Sequence, residues 1–305
     1  PSLTVDAGTA NIVLDTDITT AGGSVDLASD VLLSKAPVSI GSGAAAGDIT
    51  FARTINDDGV GAAKGLEIDS GTGDLTILGI VGDVDPISYL TVTGNDVTLT
   101  GIGDGAAGTT GDVTITSADA SDDGRITLNG GDYRTGGNQT YSGGSLGTLI
   151  ENTLNGTYAA AGGGGTIGVT NGLYLDFPGP TVTLRADLVT DTFYFFRGNL
   201  DMEGQAVSTT GDFAVFGAGY DPDDVDRGAE PDEFEYPLKA SLAYDPFPAA
   251  APGPYSYTAA FTDGTSYDLS GATISVGGNF YVNGTDMQGG AGGAPGGRWL
   301  PAKRE

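Results

Sequence analysis

Carboxylates are the only side chains here that are both numerous and clustered enough to do chemistry. Eight acids fall within residues 221 to 235: Asp221, Asp223, Asp224, Asp226, Glu230, Asp232, Glu233 and Glu235. Calcium takes about six to eight oxygen ligands, which carboxylates and turn carbonyls supply. Asp221, Asp223, Asp224, Asp226 and Glu230 are therefore a candidate Ca2+ site, against the ordinary alternative of a solvated acidic loop. Their order is not that of an EF-hand, because Val225 stands at a ligand position and no Gly follows Asp226. The smaller acidic turns Asp57-Asp58-Gly59, Asp83 with Asp85, and Asp119 with Asp122 and Asp123 pose the same choice between cation ligation and turn capping. The last of these, beside Arg125, also offers the paired carboxyls of glycoside hydrolysis or an Arg base for a lyase.

Other chemistry is excluded or disfavoured by composition. Cysteine and histidine are absent, which removes disulfides, thiolate and imidazole metal sites, Cys nucleophiles and His relays. With 12 Lys plus Arg against 40 Asp plus Glu, nucleic acid and anionic membranes are poor partners. No run approaches the roughly 20 apolar residues of a membrane span. Pro1 to Ala10 lack a charged start and an apolar core, so the sequence reads as a mature or excised segment. Gly162 to Gly165 lacks the Lys that would finish a phosphate loop, and no cofactor other than Ca2+ is suggested.

Short period-two runs must position whatever these acids do. Ile12-Val13-Leu14, Val25-Asp26-Leu27, Ile49-Thr50-Phe51, Leu75-Thr76-Ile77, Val97-Thr98-Leu99, Val113-Thr114-Ile115 and Ile126-Thr127-Leu128 alternate apolar with polar residues and are rich in Val, Ile and Thr. Each reads as a strand burying alternate side chains, with Gly and Asp at the turns. Similar strands recurring between similar turns mark a repeat architecture. Some starts lie 13 residues apart, as from Ile12 to Val25, so a coil needs two or three such steps. The expectation is an all-β protein, a right-handed parallel β-helix with coils of roughly 20 to 26 residues. Residues up to 215 would then give about nine rungs and a rod some 40 Å long. The 53 Gly leave little room for helices.

Four regions follow. Residues 1–218 read as the solenoid. Residues 219–256 hold seven of the 14 prolines as well as the acidic cluster, so they read as an insertion outside the ladders. Strand character returns over 257–288, and 289–305 is a Gly-rich linker or tail. Aromatics in and beside the insertion, Phe234, Tyr236, Tyr244, Phe247, Tyr255 and Tyr257, are candidates for self-association or partner contact. For Phe193-Tyr194-Phe195-Phe196 the expectation is instead that two rings face inward as a core ladder. The sequons at Asn138, Asn155 and Asn283 are near chance in so Thr-rich a sequence.

The stretches Asp17 to Leu27, Gly111 to Ile115 and Gly136 to Gly143 resemble the repeats of filamentous-haemagglutinin-type secreted proteins, very large bacterial surface adhesins built of right-handed β-helices. Gly277 to Gly284 is similar to segments of other giant bacterial repeat proteins. The resemblance covers residues 3 to 215 and 268 to 288. It implies a protein of the extracellular space or cell surface, of a Gram-negative-type bacterium. The function then expected is structural and non-enzymatic: a fibre or sheath made with other copies of itself, or the stalk of an adhesin. Alternatives are a monomeric domain binding cell-surface glycans or proteins, and a β-helix polysaccharide hydrolase or lyase. Asp122-Asp123-Gly124-Arg125-Ile126 is faintly similar to a galacturonase motif, but that family's active site uses a His absent here.

Overall fold

The computed structural model describes residues 2–43, 47–117, 124–144, 147–161, 164–215, 257–260, 266–268, 273–276, 280–282 and 288–289. It is a parallel β-solenoid with no helix among the described residues. Each coil runs along three faces, either as three short strands or as one longer strand that spans two faces, such as Leu173–Arg185, followed by a short one. In the first coil these strands are Leu3–Val5, Ile12–Leu14 and Ile18–Thr19. In the next they are Val25–Leu27, Val31–Leu33 and Val38–Gly41.

The 13-residue spacing seen in the sequence joins strands of different faces: Ile12 pairs with Val31, whereas Val25 pairs with Leu3 and Ile49. A full coil varies from 20 residues (Leu173 to Phe193) to 29 (Val97 to Ile126), the long ones carrying extra loop at the corners. On the first face, Leu3 is followed in register by Val25, Ile49, Leu75, Val97, Ile126, Thr148, Leu173, Phe193 and Phe213. Those nine steps span roughly 40 Å at the usual strand spacing.

Alternate residues of every strand point into one continuous core. Leu27, Leu33, Ile49, Phe51, Leu66, Leu75, Val97 and Ile126 are all fully buried. The identity of the core changes along the stack. Aliphatic residues make up most of the early coils, with Phe51 among them, and Phe177, Phe193, Phe195 and Phe213 join the aliphatics of the late ones. Phe193 stacks on Phe213 with centroids 4.6 Å apart and planes 5° apart. The expected inward pair of the 193–196 run is therefore Phe193 and Phe195. Phe196 is also buried, but it lies beside Tyr174 and Tyr194, which stack on each other at 5.4 Å.

Beyond residue 215 the described segments continue the stack. Strands 266–268, 273–276 and 280–282 pair in parallel with 199–201, 206–209 and 213–215. Strand Tyr257–Ala260 runs antiparallel to 266–268 and to 288–289. These are the two antiparallel pairings among the described residues.

Coils this close leave no space for side chains at the tightest corners. A Cβ on Gly130 would lie 1.2 Å from the Thr100 carbonyl oxygen of the preceding coil. Gly82 has φ +68°, and a Cβ there would lie 1.9 Å from the Gly108 oxygen. We expect Gly130→Ala to force the coils apart and cost about 1–3 kcal/mol, read as a lowered midpoint in thermal unfolding followed by circular dichroism. An unchanged midpoint would contradict this stacking.

Candidate functional site

The acids of the described coils serve mainly as acceptors between coils. A recurring Asp or Asn stands immediately before a strand, and its side chain accepts the backbone N–H at the equivalent position one coil on. Asp48 accepts from Asp74 N (3.1 Å), Asp74 from Asp96 N (3.3 Å) and Asp96 from Arg125 N (2.9 Å). At another corner Asp112 accepts from Asn138 N (2.8 Å), and Asn138 from Thr166 N (3.0 Å). At the third, Asp132 accepts from Thr157 N (2.8 Å), and Asn155 from Thr181 N (2.8 Å). Two of the sequon asparagines, Asn138 and Asn155, are thus stitches between coils; Asn283 lies outside the described residues.

The corner is where this acceptor is needed. The strand ladder pairs only after the chain has straightened, so the N–H just before it lacks a carbonyl partner. A short side chain from the coil below reaches it, as in an Asx turn or a helix N-cap. The charge of Asp132 is held in place in the same way. Burial pushes its pKa up, but hydrogen bonds from Arg134, Gly105 and Thr157 outweigh this and leave it lowered. Asp17 is lowered by its hydrogen bond from Lys35 and by the Ser39 N–H.

The Asp57-Asp58-Gly59 turn proves to be an internal ion cluster. The buried Lys64 ammonium is 3.3 Å from Asp57 Oδ1, and it also donates to Asp58 and to the Val60 carbonyl. Asp57 accepts from the backbone N–H groups of Gly59 (2.8 Å) and Lys64 (2.7 Å). The lysine therefore occupies the place that the sequence reading allowed for a cation. Its pKa is raised, first by the hydrogen bond to Asp58, while Asp58 is held down to about 2, first by the hydrogen bond from Lys64. Asp83 and Asp85 frame a neighbouring loop, in which Val84 N and Asp85 N donate to Asn56 Oδ1. Among the described residues no three acids converge as a metal site.

The mid-stack core holds a polar layer that sequence reading missed. Gln139 takes an inward position, with Nε2 donating to the carbonyls of Tyr133 (2.8 Å) and Ala159 (2.9 Å). Tyr141 OH donates to Gln139 Oε1 (2.9 Å), Tyr158 OH to Asn152 Oδ1 (2.8 Å) and Tyr133 OH to the Leu99 carbonyl (2.6 Å). Tyr133 and Tyr158 stack with centroids 4.7 Å apart. Burial raises the pKa of all three phenols, so they stay neutral donors. The visible signal was Gln139-Thr140-Tyr141-Ser142, which keeps the period of a strand while putting an amide on its apolar side.

Asp119, Asp122 and Asp123 lie outside the described residues, as do Asp221, Asp223, Asp224, Asp226 and Glu230. So do Phe234, Tyr236, Tyr244, Phe247 and Tyr255. Tyr257 begins a described strand. The geometry defines a class, the parallel β-solenoid repeat proteins. Comparison with family models, curated proteins and solved structures finds no match to the chain.

Two outcomes are expected. Asp74→Ala should lower the thermal midpoint more than Asp74→Asn, because the amide keeps an acceptor for Asp96 N; equal losses would assign the effect to charge. Because Asp58 titrates lower folded than unfolded, its contribution is present above its ordinary value of 3.8 and lost as pH falls toward about 2. Lys64→Met should flatten that acid dependence, measured as unfolding midpoint from pH 5 to pH 2. An unaltered slope would remove the Asp58–Lys64 linkage.

Proposed function

We propose that the chain is a non-enzymatic extracellular structural protein that self-associates into a surface fibre or sheath, or forms the stalk of an adhesin. The observation that supports this is the continuous parallel stack with its side-chain stitches at all three corners. Each coil is tied to the next by three strand pairings and by Asp or Asn acceptors. A rod of this kind resists bending, because deformation must stretch several in-register ladders at once. Strand edges left open at the end of a solenoid pair with other edges that meet them.

The resemblance to filamentous-haemagglutinin-type adhesins agrees with this reading and brings with it a right-handed winding. Self-contact is assigned to the aromatic group Phe234, Tyr236, Tyr244, Phe247, Tyr255 and Tyr257. Calcium at Asp221, Asp223, Asp224, Asp226 and Glu230 would offset the repulsion of an acidic insertion.

Electron microscopy and sedimentation of the purified chain, with and without added calcium, test the proposal. Filaments of variable length, lost on deletion of 219–256, are expected. Uniform short rods under all conditions would overturn self-association; saturable glycan binding by them would favour the monomeric adhesin. Release of reducing or unsaturated ends from an acidic polysaccharide, abolished by Asp122→Ala or Asp123→Ala, would establish an enzyme instead.

A further inference from the structure

The third face carries an array of hydroxyls to which neither the core nor the stitching gives a role. Its outward positions form two columns. Thr91, Thr114 and Thr140 are in register in one column, which ends at Gly168. Two residues further along the same strands, Thr93, Thr116, Ser142 and Thr170 form the other. Between the columns lie the inward residues Val92, Ile115, Tyr141 and Val169, all buried, which fix the strand faces. Strand geometry sets the grid at about 4.8 Å between coils and about 6.7 Å between columns.

Three features separate this patch from ordinary solvated threonine. First, among the described residues none of these seven hydroxyls has a hydrogen-bond partner within the protein. Threonines at the corners behave differently: Thr109, Thr135 and Thr209 each donate to the carbonyl two residues on. Second, the eight grid positions carry no charge, although the chain as a whole has a formal charge of −28. The preceding coil, by contrast, places Glu67 and Asp69 in the same two columns. Third, the array is preorganised. β-branched side chains on a strand have few rotamers, and the backbone beneath is fixed by pairing on both sides.

These features decide what would bind. Soluble sugars and small molecules are taken by concave sites with aromatic or charged groups, which this face lacks. Protein partners need a desolvated anchor, commonly Trp, Tyr or Arg, and none stands in the grid. A cation needs carboxylates. A rigid, uncharged array of hydroxyl and methyl groups held in register matches another lattice. Crystalline polysaccharides present hydroxyls too, but their sugar faces stack on aromatic rings, which this face lacks; ice is a lattice of O–H donors and acceptors alone, and its surface oxygens repeat at distances close to this grid. Water held between the two columns would continue that lattice.

We infer that the third face, over the coils from Thr91 to Thr170, binds the surface of ice crystals. This holds whether the chain is a lone rod or a fibre subunit, so its test is separate from the assembly experiments.

The test uses the full chain and three readouts: ice-crystal shape near the freezing point, thermal hysteresis, and partition of labelled protein into a slowly grown ice hemisphere. The wild type is expected to facet crystals and to enter the ice. Thr114→Tyr with Thr140→Tyr, which raises bulky rings from the grid while keeping strand propensity, should lose most of both effects. Thr76→Tyr with Thr98→Tyr on the first face should retain them, with circular dichroism showing both variants folded. Exclusion of the wild type from ice would overturn the inference, as would equal activity in the third-face variant. Retention on crystalline chitin or cellulose without any effect on ice would also overturn it.

Discussion

In-register parallel pairing between successive coils is the constraint on which the rest of this structure depends. It holds each residue about one strand spacing from its counterpart in the next coil. Whatever occupies a position therefore meets the residue at the same position of the next coil, and in long stretches that is one of its own kind. Inward positions stack aliphatic on aliphatic and, later, Phe193 on Phe213. Outward positions stack Thr on Thr from Thr91 to Thr140 on the third face and from Thr50 to Thr127 on the first. At the corners, an Asp or Asn before one strand finds the N–H before the next.

The same constraint explains a composition that otherwise looks unsuited to folding. So much Gly costs backbone entropy, yet corners such as Gly130 admit no Cβ at all. So much Asp creates repulsion, yet a carboxylate at the pre-strand position accepts an N–H that the ladder leaves unpaired. Asp48, Asp74 and Asp96 stack as like charges and each accepts from the next coil, so the stitch and the repulsion come from the same residues. Lys64 is where the fold adds an internal counter-charge instead, closing a loop over Asp57 and Asp58.

The polar layer in the middle of the stack departs from the apolar rule without leaving donors stranded. Gln139, Asn152 and three tyrosines satisfy one another and nearby carbonyls. Such a network accepts only the coil that completes it. In a fold whose apolar ladders tolerate sliding by one repeat, a polar layer shared by two successive coils favours one stacking order over its neighbours.

The sequence by itself determined the class of fold. Period-two runs of Val, Ile and Thr between Gly and Asp turns admit a strand repeat and little else, because alternation and turn chemistry are local properties of the chain. It also determined the exclusions that follow from lacking Cys and His. The tertiary structure decided what depends on which strand lies above which. The 13-residue step from Ile12 to Val25 marked one strand plus one turn within a coil, but which strand each of them meets in the next coil is set by corner length. The turn at Asp57 and Asp58 left cation ligation open beside turn capping, because nothing local shows that Lys64 folds back into it. Likewise the pre-strand acids read as solubilising turns, since their N–H partners lie about 20 to 30 residues away and exist as partners only once the coils are stacked.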